Sequence, residues 1–394
     1  MGDSVQQMEG IGHFPLTSHT DAESVAIYLQ QVALSERMPP WPGGATCDER
    51  PDFLDDPSLS TEERLAILEW TESDLAAGDL EKAPPLPQDF DLPGQTHTLF
   101  PNQPIQPTED QDGYPCELLD PQLTEDHWMT GLQGLADNRA LLASLIAWIV
   151  PPEQIEDAQQ LDSECFGLSP LPGLNLLGFW SPGATPFETP SDSGILIPAG
   201  SQILLRLHHH VWQSDGLGAD QSGLGLRLTT TPPSQAAQIL ALGNAATEPE
   251  LLIQNNESEA EFLIPANQTH QEEMRFELNQ AESRIWAIGG WMHWAGKEMS
   301  ISLEGTDSTC LVNLEDWQPD WMRLYRYDPA TDYPLWSPQN QLQLQCTYEN
   351  TSHNEDLMEM LSNEGVDEIK DRQLGPGPQD ESCLALVGIL QPNL

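Results

Sequence analysis

Residues 285–303 read IWAIGGWMHWAGKEMSISL and contain two strand-like segments separated by a short crossing. In the first segment Ile285, Ala287 and Gly289 alternate with Trp286 and Ile288, which is the period-two pattern of a β-strand. Residues 298–303 form the second predicted strand. Strands that alternate in this way are typical of antiparallel sheets with one face on a core. The stretch therefore predicts an antiparallel β-sandwich.

The charge balance limits the kinds of partner that the chain can have. Its 394 residues include 14 Lys and Arg against 63 Asp and Glu, a formal net charge of -49. Nucleic acid and anionic membrane surfaces are not expected partners, because binding to either needs clustered cations. Two interpretations of the acidic surface remain. It is either a coat suited to high salt or to solubility, or a docking surface for a cationic protein partner or assembly, such as a basic electron carrier.

The cysteines indicate an oxidising compartment. None belongs to a CxxC motif, so the usual spacings for tetrahedral zinc and for c-type haem are missing. An even, dispersed set in a β-rich chain predicts three disulfides and an extracytoplasmic location, in the periplasm, at the cell surface or secreted. Sequence alone leaves all 15 pairings open. The six residues are Cys47, Cys116, Cys165, Cys310, Cys346 and Cys383.

Neither an export signal nor a membrane span is visible in the sequence. Residues 1–4 have no signal-peptide pattern, so we expect that such a signal was removed or was never present. The longest apolar run, residues 140–150, is too short to cross a bilayer. It is instead predicted to be a fully buried strand.

Residues 1–95 are predicted to form a small helical module. Apolar residues at helical spacing predict one helix over residues 21–37, beginning at a cap formed by Thr20 and Asp21. Ser60-Thr-Glu-Glu has the pattern of a capping box and predicts the start of a second helix. From residue 96 the pattern changes to short strands and turns, and residues 229–233 are predicted to link two β domains.

Motifs along nearly the whole chain resemble those of the copper type II, ascorbate-dependent monooxygenases. This family includes the peptidylglycine and dopamine hydroxylating enzymes and bacterial relatives. The motifs of the second β domain, in order, are Gly290-Trp-Met-His, Cys310-Leu, Trp317-x-x-x-Trp, Cys346-x-Tyr-x-Asn, and Gly375-x-Gly-x-x-Asp-Glu-Ser-Cys.

The N-terminal module also resembles a part of the bacterial relatives. His13-Phe-Pro-Leu, then MPPW at residues 38–41 and LSTEE at 59–63 follow the order of a small c-type cytochrome module. In the relatives a Cys-x-x-Cys-His that binds haem lies just upstream of Phe-Pro-Leu. Residues 2–6 occupy that place and contain neither Cys nor His, so we expect no haem.

The resemblance implies two copper sites facing each other across a solvent cleft. In the family one copper delivers an electron while the other activates dioxygen to hydroxylate a C–H bond. At the first site Ala143 and Ser144 stand in place of two histidines, and His208 matches the third ligand. At the second site only one of the three positions keeps its ligand, because Trp291 replaces a histidine, His293 is retained and Ser382 replaces a methionine.

The remaining histidines can be interpreted in two ways. His208 and His210 share one face of a strand, with His209 on the other, so the pair can chelate copper or zinc if a third ligand approaches. Alternatively they are ordinary strand histidines beside carboxylates, and His293 is a hydrogen-bonded histidine among tryptophans. We take His208, His210 and His293 as candidate metal ligands. We expect no catalytic residue and no cofactor, with copper as the alternative.

The resemblance also implies a disulfide pairing. In the family the cysteine beside the methionine ligand is bonded to one on a neighbouring strand, which corresponds to Cys346 with Cys383. Cys116 with Cys165 is a second expected pair, which leaves Cys47 with Cys310.

Together these observations predict a mainly β fold. Two tandem antiparallel β-sandwich, jelly-roll-like domains, residues 96–233 and 234–394, follow a helical, degenerate cytochrome c-like module at residues 1–95. The predicted function is that of a pseudoenzyme, a non-catalytic homologue of the copper monooxygenases acting as an extracytoplasmic structural or binding subunit. The alternative is a copper-dependent oxidoreductase with altered, weaker metal sites.

Overall fold

A computed structural model describes most of the chain. The described residues are 16, 18–35, 47, 53–56, 58–79, 82, 91–107, 113–161, 163–165, 170–171, 173–209, 218–244, 262–278, 282–319, 322–363, 365–366, 368–375 and 379–392.

The described residues form a mainly β structure with a few short helices. The helices are α1 (His19–Ser24), α2 (Ala26–Leu34), α3 (Thr61–Thr71), a 3-10 turn (Pro152–Gln154), α4 (Ile155–Ala158) and α5 (Glu355–Asn363). The strands of the first half are β1 (His97–Leu99), β2 (Cys116–Leu119), β3 (His127–Leu135), β4 (Leu142–Val150), β5 (Asn175–Trp180), β6 (Phe187–Glu188), β7 (Ser193–Ile197), β8 (Gln202–His209) and β9 (Gly223–Thr229). Those of the second half are β10 (Gln235–Asn244), β11 (Leu263–Ile264), β12 (Gln268–Glu277), β13 (Ser283–Trp291), β14 (Gly296–Glu304), β15 (Thr309–Leu314), β16 (Leu324–Arg326), β17 (Leu335–Trp336), β18 (Gln341–Asn350), β19 (Arg372–Gln373) and β20 (Cys383–Pro392).

A single ten-stranded sheet runs through both halves of the chain. Its strand order is β1-β9-β3-β7-β10-β20-β13-β16, with β6 also paired to β3 and β17 to β13. The two halves join where β7 and β10 pair in parallel, with Gln235 opposite Ser193. Two four-stranded antiparallel sheets, β2-β8-β4-β5 and β12-β18-β14-β15, complete the main layers. Strands from both sides of residue 233 therefore belong to one sheet. The division into two domains at this residue stays a prediction.

Two apolar cores lie between these layers, and strand β20 contributes to both. Leu384, Leu386 and Leu390 point into the first core, whereas Val387 and Ile389 point into the second. This alternation explains why β20 reads as a nearly continuous apolar run, since a strand with both faces covered has no solvent side. Strand β4 is likewise buried along its whole length, as predicted for residues 140–150.

The crossing at residues 292–295 carries the chain from one sheet to another. Strand β13 pairs with β20 in the ten-stranded sheet, whereas β14 pairs with β15 and β18 in a four-stranded sheet. The two predicted strands are therefore not a hairpin but opposite walls of the second core. This arrangement is sandwich-like, and it places His293 on the arch between the layers.

The helices of the N-terminal part differ in one respect from the prediction. The single helix expected over residues 21–37 is interrupted at Val25, whose φ of -120° and ψ of 19° end α1 and precede α2. Val25 is β-branched, which lowers its helix propensity. The first helix is capped by Ser18 rather than by Thr20, while the predicted capping box of Ser60 and Glu63 at α3 is confirmed.

The structure contains three disulfides. Cys346 on β18 is bonded to Cys383 on β20 and so links the two sheets around the second core. The other bonds join Cys116 to Cys165 and Cys47 to Cys310. These are the pairs that the sequence analysis expected. Three disulfides suggest an oxidising environment.

The N-terminal segment is attached to the second half of the chain. Besides the disulfide from Cys47, Phe53 forms a bridge to Tyr327, and the Leu54 N–H donates to the Arg326 carbonyl at 2.7 Å. Among the described residues, no helix has the length and apolar character needed to cross a membrane.

Candidate functional site

The structure brings together the positions that match the first copper site. Strands β4 and β8 are neighbours, and Ser144 lies directly opposite His208 in their register. Ala143, Ser144 and His208 are all buried. The strand pairing thus makes Ser144 and His208 neighbours, but Ala143 has no ligand atom and Ser144 has only a hydroxyl. His210, the other candidate ligand of this strand, lies outside the described residues.

His208 stacks on an aromatic ring. Its imidazole is parallel to the Tyr114 ring, with centroids 4.6 Å apart and an angle of 10° between the planes. Tyr114 is held in place by its sequence neighbours, because Pro115 bridges Glu164 and Cys116 is bonded to Cys165. The stacking fixes the His208 ring against a side chain that offers no soft ligand.

A buried arginine lies beside this histidine. Arg206 precedes His208 by two residues on β8, so both side chains project from the same face of the strand. Its guanidinium carbon, Cζ, lies 5.3 Å from the ring centroid of Trp291, 5.6 Å from that of Tyr114 and 6.0 Å from that of Trp148. Within about 6 Å of a ring, a cation is attracted by the ring quadrupole. Arg206 is thus a cation enclosed by three aromatic side chains.

Arg206 remains charged at neutral pH. Burial lowers the pKa of Arg206 to about 10, and the electrostatic influence of Tyr114 opposes this shift. Sequence reasoning missed this residue. The available signal was one arginine within the apolar run of residues 203–207, because an arginine in a buried strand needs compensating partners.

Trp291 connects the two candidate copper positions. It lies at the end of β13, pairs with Leu384 on β20 and packs against the first core. Its indole also forms the closest wall of the aromatic enclosure around Arg206. An indole has only an N–H donor and no lone pair for a metal. The position that matches a copper ligand therefore contributes to a cation–π contact instead.

The second candidate position centres on His293 and a buried glutamate. The backbone N–H groups of His293 and Ala295 donate to the two carboxylate oxygens of Glu381 at 2.9 and 2.6 Å. Burial raises the pKa of Glu381, and this outweighs the charges of His293 and Arg372 and the backbone hydrogen bonds. Glu381 thus holds the arch between β13 and β14 against the segment that precedes β20.

The tautomer of His293 follows from its hydrogen bond. Its Nδ1 is 2.9 Å from the backbone carbonyl oxygen of Asp380, and a carbonyl oxygen can only accept. Nδ1 therefore carries the proton in the neutral ring, and the lone pair is on Nε2. This is the arrangement found in metal-ligating histidines, whose other nitrogen is held by a backbone carbonyl or carboxylate. His293 alone among the three matched positions keeps a ligand for copper.

Ser382 lies next to this glutamate and is almost fully buried. Within the described part of the chain its hydroxyl oxygen has no hydrogen-bond partner, while its backbone carbonyl accepts from the Tyr348 hydroxyl at 2.9 Å. A serine side chain is too short to reproduce the reach of a methionine thioether. Trp291, His293 and Ser382 therefore offer one nitrogen ligand, and this donor set does not fit a type II copper ion with three protein ligands.

His209 belongs to a separate buried network. Its Nε2 is 2.9 Å from Asp220, which also accepts from the Ser222 hydroxyl at 2.6 Å and the Asn138 N–H at 3.1 Å. Burial by itself would raise the pKa of Asp220, but these hydrogen bonds together lower it below its ordinary value. His209 and Asp220 are both buried, so their contact is part of the core.

The described residues contain no group of three or more His, Cys, Asp or Glu side chains arranged to hold a metal. They do contain a small cavity of 70 Å³ between the loop after β5 and strand β16. Its polar lining includes Asp55, which accepts hydrogen bonds from both Thr185 and Arg326.

Comparisons with known proteins do not assign a family. No family model and no curated protein matches the chain. Among solved structures, the allantoicase of Saccharomyces cerevisiae matches 73% of this chain and 83% of its own, with 11% identity and a TM-score of 0.20. The major capsid protein P2 of bacteriophage PM2 matches 76% of this chain and 98% of its own, with 10% identity and a TM-score of 0.25. A second allantoicase structure matches 63% and 80%, with 13% identity and a TM-score of 0.18. TM-scores this low support no conclusion about the function of this chain.

Proposed function

We propose that this chain is a non-catalytic relative of the copper type II, ascorbate-dependent monooxygenases, acting as an extracytoplasmic structural or binding subunit. In this proposal residues 1–95 are a degenerate cytochrome c-like module, and residues 96–233 and 234–394 are two tandem β-sandwiches. The supporting observation is the side-chain set at the matched ligand positions. The resemblance assigns Ala143, Ser144, Trp291 and Ser382 to four of the six ligand positions, and none of these side chains offers an imidazole or a thioether.

The charge of Arg206 adds a second argument against copper at the first position. Arg206 and His208 project from the same face of β8, two residues apart. A divalent ion and a guanidinium group repel each other at such short range, and the repulsion is stronger in a buried location than in water. A copper ion held by His208 would therefore bind against a fixed positive charge in a buried location.

The contacts of the N-terminal segment are consistent with a structural role. The disulfide from Cys47 and the Phe53 bridge fasten this segment to strands β15 and β16. The Phe53 ring is 5.4 and 5.1 Å from the rings of Tyr325 and Tyr327, so the attachment includes packed aromatic surface. If the chain acts as a binding subunit, its acidic surface favours a cationic protein as the partner.

The alternative function is a copper-dependent oxidoreductase with weaker sites. One observation favours it, because the neutral His293 ring has its Nε2 lone pair available and its Nδ1 held by the Asp380 carbonyl. A single imidazole does not hold copper tightly. Electron transfer between two copper centres would also need a copper ion at His208, beside the positive charge of Arg206.

Ascorbate-dependent oxygen uptake distinguishes the two functions. Purified protein is loaded with copper, and unbound metal is removed. Oxygen consumption is then followed in the presence of ascorbate and a panel of compounds with C–H bonds that such an enzyme could hydroxylate. We expect no uptake above that of an equal amount of free copper, and no change in the His293→Asn variant. Uptake above this background that His293→Asn abolishes would establish the oxidoreductase and contradict the proposal.

A further inference from the structure

Two histidines at one end of the first half of the ten-stranded sheet lie close to each other. His97 begins β1 and His127 begins β3, two strands that both border β9. Their ring centroids are 6.1 Å apart, and the ring planes are at 82°. His97 is paired with Leu226 and His127 with Ile197, and both of these partners point into the first core. The two imidazoles therefore project from the same face of the sheet, and both are half-buried.

Hydrogen bonds determine which nitrogen of each ring keeps its lone pair. Nδ1 of His127 is 2.8 Å from the Glu125 carbonyl oxygen, so Nδ1 carries the proton and Nε2 has the lone pair in the neutral ring. Nδ1 of His97 is 2.9 Å from the Thr96 hydroxyl oxygen. The Thr96 hydroxyl is also 3.2 Å from the Leu226 carbonyl oxygen, to which it can donate. With the hydroxyl proton on that carbonyl, Thr96 accepts from His97 Nδ1, and the lone pair of this ring is then on Nε2 as well.

The ring separation is compatible with a shared metal ion. A bond of about 2.1 Å from each nitrogen places each ring centroid about 3.2 Å from the metal. The two centroids would then be separated by about 5.2 Å at a tetrahedral angle and by about 6.4 Å in a linear arrangement. The observed separation of 6.1 Å lies within this interval.

From this geometry we propose that His97 and His127 form a two-histidine site for a borderline divalent transition metal ion, binding Cu²⁺ most tightly. Each ring contributes Nε2, and water completes the coordination. Imidazole suits copper, nickel and zinc, and copper forms the most stable complexes among these ions. This site is separate from the positions of His208 and His293, and it does not depend on the function proposed above.

The overall charge of the protein favours a bound cation. The net charge of -49 raises the local concentration of divalent cations around the protein.

Copper titration of defined variants tests the site. Cu²⁺ alone is added to wild-type protein and to the His97→Asn, His127→Asn and double variants, and binding is followed by EPR and calorimetry. His353→Asn removes an exposed histidine elsewhere and is the matched control, and His293→Asn controls for the other candidate position. Melting temperatures verify that each variant is folded.

We expect one Cu²⁺ with nitrogen hyperfine structure that both control variants retain. Removing even an outer partner of a metal ligand typically costs about 10–100-fold in affinity, so loss of either ligand should weaken binding by at least about tenfold. No bound Cu²⁺ at one equivalent, or equal affinity in the double variant, would overturn the site. Loss of this signal in His293→Asn would do the same.

Discussion

Asp220 is a buried carboxylate whose hydrogen bonds connect three separate parts of the first half of the chain. It accepts from His209 on β8, from the Asn138 N–H before β4 and from Ser222 before β9. Each bond to a charged acceptor contributes more than a neutral one, and an unsatisfied buried partner is costly. This carboxylate therefore joins the ends of β4 and β8 in the four-stranded sheet to the start of β9 in the ten-stranded sheet.

Replacing this carboxylate should destabilise the protein in a pH-dependent way. We expect Asp220→Asn to lower the free energy of unfolding at neutral pH by about 2–4 kcal/mol, because it removes the charge on which His209 depends. The folded-state pKa of Asp220 is lowered, so its contribution is fully present above the unfolded value of about 3.9 and is lost as the pH falls through the folded value.

Denaturant unfolding of both proteins between pH 7 and pH 2.5 measures this difference. The gap between wild type and Asp220→Asn should narrow below about pH 3.9. The exposed Asp307→Asn serves as the control and should show almost no gap at any pH. A gap that stays constant or widens towards pH 2.5 would count against the assigned role of Asp220.

At the scale of single residues, sequence reasoning located positions better than it identified roles. The resemblance implied that the position of Ser144 lies near that of His208, and the two residues are opposite each other on β4 and β8. It did not identify Arg206 or Glu381, whose roles depend on contacts between distant segments. Two of the three candidate ligands can be assessed in the structure, whereas His210 lies outside the described residues.

Strand β20 is the element on which both cores depend. It is buried on both faces and pairs with β10 on one side and β13 on the other. Gly388 lies at its centre, where the Trp286 ring crosses the strand. A Cβ atom added at Gly388 would be 2.9 Å from a ring carbon of Trp286 and 3.0 Å from the Ala287 Cβ. The absence of a side chain at this position therefore makes room for the indole.

Gly388→Ala should destabilise the protein through overpacking. We expect a loss of about 1–3 kcal/mol in the free energy of unfolding, because a ring in a closed core cannot move aside freely. Chemical denaturation provides the measurement. Gly218→Ala is the matched control, since its added Cβ would approach no atom more closely than 3.9 Å. Equal stability of the two variants would show that the Trp286 ring adapts without cost.

Individual elements were easier to predict than their pairing. The alternation in residues 285–303 and the apolar run of β4 reflect local burial, so both strands were predicted from sequence. The continuous sheet through β7 and β10 was not predicted, because pairing between distant strands leaves no local periodicity. The break at Val25 was missed for a different reason, since the helical spacing of the surrounding residues continues across it.

The whole molecule has a strong excess of negative charge. Fourteen cationic side chains against 63 acidic ones leave most carboxylates without a partner of opposite charge. Self-repulsion of this kind destabilises a compact state. It acts over the Debye length, which is about 30 Å at 0.01 M salt and about 3 Å at 1 M.

The melting temperature should therefore rise as monovalent salt is added. We expect the increase between about 0.01 M and 1 M NaCl to be largest at the low end, where screening changes most. Differential scanning calorimetry at constant pH measures it, and a parallel series in sucrose controls for effects unrelated to charge. A melting temperature that stays constant or falls as salt is added would contradict the view that repulsion between carboxylates destabilises the folded protein.

The central claim is that the positions matched to two copper sites no longer hold a copper pair. The most direct measurement is the copper content of the His97→Asn/His127→Asn variant, which lacks the separate histidine pair, after copper loading and removal of unbound metal. Elemental analysis and EPR should find less than one copper per chain in this variant. The claim would be contradicted by two tightly held coppers per chain with a type II EPR signal that is lost in the His208→Asn/His293→Asn variant. That result would support a copper-dependent enzyme instead.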